Sequence, residues 1–221
     1  MDVSSEMAQD LAMCGIFGLA FGLESQVEPK QKTVLRQMSS ILKRNLFTTD
    51  LKYHAEGTYT FGTIDKTKYN GDIHWSPLSR RAEYWQFNFT GFNVDSSDWW
   101  YFSQWSAIAD TGTTLLMLDD DIVRFYYDEV QNATFNSTLG LWTYPCDTIL
   151  PDFNMKLGNW TATVPGRYIN YTDLDGSRCM GGLQGNFGTP FGILGDVFLK
   201  AFFAVFDVAG RRVGFANKDL N

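Results

Sequence analysis

The chain is cut into short runs in which apolar residues alternate with polar or small ones, and between them stand glycines, asparagines and aspartates. The clearest run is "EYWQFNFTGFNV", where Trp85, Phe87 and Phe89 fall two apart, the period of a strand with one face buried. "GTYTFGTID" reads the same way, and "SAIADT", "TLLML", "FNMKLG", "TATVPGRYINY", "FAVFDV" and "RVGFAN" are further strand candidates. "NGD" at Asn70 to Asp72 predicts a hairpin turn between Tyr69 and Ile73. A helical period occurs in three places. "QKTVLRQMSSILKR" sets Val34, Leu35, Met38, Ile41 and Leu42 on one face, with basic residues in its last turn. "LDDDIVRFYYDEVQ" opens on Asp119, Asp120 and Asp121, and "GDVFLKAF" is a short third candidate. Strands without a strand-helix-strand alternation define an all-β class with a few short helices.

Charge excludes some functions. A net charge of -7 and a pI near 4.8 do not suit a nucleic-acid binder, which must neutralise phosphates. No segment offers the ~18 uninterrupted apolar residues of a membrane span; the best, "FGILGDVFLKAFFAVFDV", is interrupted by Asp196 and Lys200. Asn-X-Ser/Thr sequons stand at Asn88, Asn132, Asn136, Asn159 and Asn170, where roughly one or two would arise by chance, which points to a secretory route. The plain alternative is a threonine-rich β protein with accidental sequons. The opening "MDVSSEMAQDLAM" has neither the basic nor the apolar region of a signal peptide. The cysteines are Cys14, Cys146 and Cys179, an odd number.

Within "SAIADTGTTLLML", the tripeptide Asp110-Thr111-Gly112 joins two apolar β-type runs. Such a turn needs no function, since Asp and Gly are common turn formers. An aspartate at a strand end in apolar surroundings, with a glycine to let backbone approach and hydroxyls at Thr111 and Thr113 to fix it, is also suited to hydrolysis. His54 and His74 have no ligand spacing, and Asp119 to Asp121 lack the spacing of a calcium loop, so neither a metal nor a cofactor is expected. A weak internal similarity links "GIFGLAF" (residues 15–21) with "GILGDVF" (192–198).

Asp110-Thr111-Gly112-Thr113-Thr114-Leu115-Leu116 resembles the second active-site motif of pepsin-like aspartic proteases of the fungal secreted type. "FGTIDKTKYNGDIHW", "YPCDTILPDF", "CMGGLQ" and "ILGDVFLK" extend the resemblance in order along the chain. It implies a bilobal all-β fold in which each lobe gives one Asp-Thr/Ser-Gly loop to a cleft. The paired aspartates hold a water that attacks a peptide bond at acid pH. Two carboxylates about 3 Å apart cannot both ionise cheaply, so the pair shares a proton.

The resemblance assigns the catalytic carboxylate to Asp110 and a loop-bracing hydroxyl to Thr111. It gives substrate-backbone contacts to Gly112 and Thr113, and pocket positions to Tyr84 and Ile108, for which core packing is the ordinary alternative. Ile193, Leu194 and Gly195 match the crossing that closes the loop, and Cys146 and Cys179 match the disulfide of the second lobe. Residues 1–50 then fall to a remnant of the first lobe with the lobe junction, and 51–221 to the second lobe.

The first Asp-Thr/Ser-Gly loop and the tyrosine-bearing flap have no counterpart in these residues. Residues 2 to 5 resemble the middle of the first lobe, and Cys14 stands where the family has aspartate. The expectation is a piece of a secreted or vacuolar endopeptidase, inactive alone, whose partners are a peptide or protein substrate and either the first lobe or a second chain. A non-catalytic secreted protein that binds peptides or inhibitors is the alternative, followed by a homodimer in which each chain brings Asp110.

Overall fold

The computed structural model describes residues 15–22, 29–95 and 98–220. Cys14 and residues 2–5 therefore lie outside the described residues. The described residues are mostly β, in three sheets, with a few short helices.

The first sheet has the order β2-β1-β15-β16-β3, built from β1 (Leu46–Asp50), β2 (Thr58–Phe61), β3 (Asn70–Pro77), β15 (Phe202–Asp207) and β16 (Arg212–Asn217). Its centre, β15, is buried along its whole length. The period of two explains why: Phe202, Ala204 and Phe206 face the main core, while Phe203 and Val205 meet Leu46, Ile64, Tyr69, Ile73 and Trp75 on the other side. Phe47 of β1 stacks on Phe206 with ring centroids 4.4 Å apart.

The second sheet holds seven strands in the order β10-β9-β4-β5-β14-β6-β13. They are β4 (Gln86–Val94), β5 (Tyr101–Ala109), β6 (Leu116–Leu118), β9 (Phe153–Leu157), β10 (Trp160–Val164), β13 (Leu183–Gly185) and β14 (Gly192–Leu194). The strands β14 and β6 run antiparallel, whereas β14 is parallel to β5 and β13 parallel to β6. A third sheet, β11-β12-β8-β7, combines β7 (Thr134–Asn136), β8 (Leu141–Pro145), β11 (Asn170–Asp173) and β12 (Arg178–Gly181). The Cys146–Cys179 disulfide joins the end of β8 to β12, with Cα atoms 4.9 Å apart.

Among the described residues the α-helices are α1 (Val34–Met38), α2 (Asp120–Asp128), α3 (Gly166–Ile169) and α4 (Asp196–Leu199). Buried Ile122, Val123, Tyr126 and Tyr127 give α2 its apolar face, and Asp120 and Asp121 occupy its first turn, where the macrodipole favours negative charge.

Three sequence expectations are corrected. The helix expected over "QKTVLRQMSSILKR" is confined to Val34–Met38; Ser39 Oγ donates to the Arg36 carbonyl, and Ile41 is 79% exposed rather than on a buried face. Asn70 to Asp72 do not turn a hairpin but open β3, which pairs with the distant β16; the bend is made just before, by a 3-10 turn at Lys66–Lys68 capped by Asp65. "TATVPGRYINY" is not one strand. Pro165 lacks the amide needed to continue a ladder and instead caps α3, whose Gly166 amide donates to Asp152.

Candidate active site

Asp110 is the first residue past β5. The parallel register of β5 with β14 sets Ile108 opposite Ile193 and Ala109 opposite Leu194, and the amide of Asp110 continues it by donating to the Leu194 carbonyl at 3.1 Å. On the other side the Ala109 amide donates to the Trp85 carbonyl at 3.1 Å. The backbone that carries this carboxylate is thus held from both flanks.

The loop that follows folds back on its own aspartate. The Gly112 amide donates to Asp110 Oδ1 at 2.9 Å, and the Thr113 hydroxyl donates to Oδ2 at 2.8 Å. Both oxygens are therefore oriented by donors fixed in the same tight turn. A β-carbon at Gly112 would stand 3.2 Å from Oδ1, so the close approach suits a residue without one.

Three consecutive amides from the crossing segment clamp this loop. Gly195, Asp196 and Val197 donate to the carbonyls of Leu115, Thr113 and Thr114 at 3.2, 2.8 and 3.0 Å. Gly195 has no room for a side chain, because a β-carbon would lie 2.3 Å from the Thr113 carbonyl oxygen and 2.4 Å from that of Leu115. Asp196 is half-buried beside this loop. Burial pushes its carboxyl above the ordinary range, opposed by Lys200 and reinforced by the charge of Asp110. Its Oδ1 is buried with no hydrogen-bond partner among the described residues.

Asp110 opens onto a groove of about 660 Å³ that is mainly apolar. Thr111 and Gly112 line it near the carboxylate, and Tyr84 and Ile108 line it beside them. Tyr84 is 46% exposed, whereas Ile108 is buried at 7%. Tyr84 also contacts Phe191 across 6.0 Å.

Residues 15–20, Tyr59 and Phe61 also line the groove, and sequence reasoning did not assign them to the site. Trp85 Nε1 anchors that segment by donating to the Leu19 carbonyl at 2.7 Å, and Phe21 packs edge-on to Trp85. The two segments linked by their weak similarity, residues 15–21 and 192–198, thus both border the Asp110 neighbourhood. Asp196 was also missed as a neighbour of Asp110, although it follows directly on the Gly195 that was identified.

The remaining candidates lie elsewhere. Asn88, Asn132, Asn159 and Asn170 are exposed and Asn136 is half-buried, its Oδ1 accepting the amides of Thr138 and Leu139. The Asn170 Oδ1 accepts the Tyr144 hydroxyl at 2.8 Å, which leaves the amide nitrogen on the exposed side chain out of that bond. His54 packs on Tyr53, and His74 stacks on Trp160.

Comparison with known proteins adds the following. The profile of the eukaryotic aspartyl protease family matches residues 1–218. The chain is 46% identical over 215 residues to penicillopepsin-1 of Talaromyces stipitatus, covering 97% of this chain and 55% of that protein. It is 43% identical over 217 residues to aspergillopepsin-1 of Aspergillus oryzae, with coverages of 97% and 55%. With aspartic protease pepA of Arthroderma otae it shares 44% over 227 residues, with coverages of 97% and 58%. The chain therefore spans little more than half the length of these relatives.

Proposed function

This chain belongs to the eukaryotic aspartyl protease family, and on that premise we propose that it supplies one half of a paired-aspartate endopeptidase site, with Asp110 as its carboxylate. The observation that carries this reading is the Asp110 loop itself. Each carboxylate oxygen accepts a bond from the following turn, and the whole turn is clamped by the amides of residues 195 to 197 at the head of an apolar groove. Such a carboxylate is pre-oriented, which is what general acid-base work on a bound water requires.

In this mechanism the pair holds one proton. The ionised aspartate takes a proton from the water as its oxygen attacks the peptide carbonyl carbon. The protonated aspartate hydrogen-bonds the carbonyl oxygen, and a proton then passes to the leaving nitrogen as the carbon-nitrogen bond breaks. Like charges in close proximity keep one member protonated, which favours acid pH. Thr111 braces the loop toward its counterpart, Gly112 and Thr113 meet the substrate backbone, and Tyr84 and Ile108 shape the pocket for apolar side chains.

The second carboxylate comes from a partner polypeptide surface, the other lobe or a second chain, and without it the chain is inactive. Residues 1–50 belong to the first lobe and lobe junction, and 51–221 to the second lobe. The chain acts in a secreted or vacuolar setting, with glycans on exposed sequons; the Cys146–Cys179 disulfide supports an oxidising route.

A peptide in which a secondary alcohol replaces the scissile amide mimics the tetrahedral intermediate. The chain, co-expressed with the N-terminal portion of penicillopepsin-1 that it does not match, is expected to bind this peptide at acid pH at least about a hundredfold more tightly than Asp110→Asn does. Equal affinity of the two would remove Asp110 from the site.

A further inference from the structure

We propose that a groove at the far end of β5 is a docking site for a cationic side chain, arginine or lysine, of a partner polypeptide. Its place separates it from the Asp110 groove. At ~3.3 Å of rise per residue, Tyr101 at the start of β5 lies about 30 Å along the strand from Asp110. The groove measures about 430 Å³, and its walls include Asp95, Trp99, Tyr101, Phe125, Glu129 and Pro151.

The aromatic wall is rigid where it meets the core. Tyr101 stacks on buried Phe92 at 5.1 Å and meets Phe125 at 4.3 Å, so these rings hold their positions without a ligand. Trp99 is 81% exposed at the rim. Glu129 caps the C-terminus of α2 and is exposed, so its charge adds to the negative end of the helix macrodipole. Among the described residues that line the groove, none is basic.

These features select the ligand's chemistry. Ring faces attract cations through their quadrupole, most strongly for tryptophan. The carboxylates of Asp95 and Glu129, when ionised, only accept hydrogen bonds, and ammonium and guanidinium groups only donate them. A sugar hydroxyl can also donate to these carboxylates, but it carries no positive charge for them or the ring faces to attract. Trp100, next to Trp99, already carries an ammonium on its ring, with Lys156 Nζ 4.2 Å from the ring centroid.

The test uses a fluorescein-labelled tetra-arginine peptide and its tetra-citrulline counterpart, which keeps the shape but has no charge. Anisotropy at near-neutral pH and low salt is expected to show about tenfold or tighter binding of the arginine peptide. Trp99→Ala and Glu129→Gln, both exposed positions, are each expected to weaken it about fivefold or more. Glu56→Gln, an exposed carboxylate outside the groove, is expected to leave it unchanged. Equal binding of the citrulline peptide overturns the proposal, as does an equal loss in Glu56→Gln, which would reduce the effect to the chain's general negative field. Displacement of the arginine peptide by cellotetraose at equal concentration overturns it in favour of a carbohydrate site.

Discussion

Asp110 and Leu194 are joined through their main chains, the aspartate amide donating to the leucine carbonyl at 3.1 Å, so that the carboxylate is placed by a strand from the other end of the chain. That bond forms only because β14 is inserted in parallel beside β5, and the crossing segment after it then clamps the loop.

Gly195→Ala tests the clamp. The new methyl would press on two backbone carbonyls that are themselves accepting amides from the crossing, and no side-chain rotation relieves it. A loss of about 3 kcal/mol or more in unfolding free energy is expected from denaturant titration. A loss below about 0.5 kcal/mol would mean that the crossing is not tightly packed.

The carboxyl of Asp196 gives a pH dependence. Burial raises its folded value above the unfolded one, so the folded chain keeps a proton that the unfolded chain has already released. Its contribution to stability is full below the unfolded pKa and is lost as pH rises through the folded value. Asp196→Asn removes that titration. Across the pH range from acid to neutral, its unfolding free energy is expected to fall less than that of the wild type. Parallel stability curves for the two proteins would contradict this.

The disulfide closes a loop with a sequence separation of 33. In the chain-entropy model such a cross-link contributes about 3 to 4 kcal/mol. Cys146→Ser combined with Cys179→Ser is expected to lower the unfolding free energy by roughly that amount without changing the far-ultraviolet circular dichroism of the folded state.

Lys218 is buried, 1% exposed in its side chain, and its Nζ donates to Asp50 Oδ1 at 3.0 Å and also to the Leu51 carbonyl. Burial holds its pKa below the ordinary lysine range, while the Asp50 carboxylate opposes that shift. Lys218→Met leaves Asp50 buried with, among the described residues, only the more exposed Lys52 at 3.3 Å as an ionic partner. A loss of about 2 kcal/mol or more in unfolding free energy is expected, since a buried charge loses its main counter-ion.

Alternation made much of this fold legible in the sequence. In β4 the period of two buries Phe87, Phe89 and Phe92 around one irregular step at Thr90 and Gly91, and β15 reads as a continuous apolar run because both of its faces are covered. The hairpin expected at Asn70 to Asp72 failed because a local turn signal was outweighed by pairing with β16, which no local window contains. The helix ending early at Met38 has a similar cause, since its apolar period continues to Ile41 and Leu42 but Ile41 is 79% exposed among the described residues. Asp110 and its loop were legible because their chemistry is contiguous. The part lined by residues 15–20 was not, because tertiary packing, including the Trp85 bond to Leu19, brings them to the same groove as Asp110.

On the proposed function, Asp110 is one carboxylate of a pair that neither member can replace alone. The most direct measurement is the rate of peptide hydrolysis at acid pH, for the chain alone and for the chain co-expressed with the unmatched N-terminal portion of penicillopepsin-1. Hydrolysis is expected only in the complemented preparation, reduced at least about a thousandfold by Asp110→Asn. Hydrolysis by that preparation that survives Asp110→Asn undiminished would contradict it.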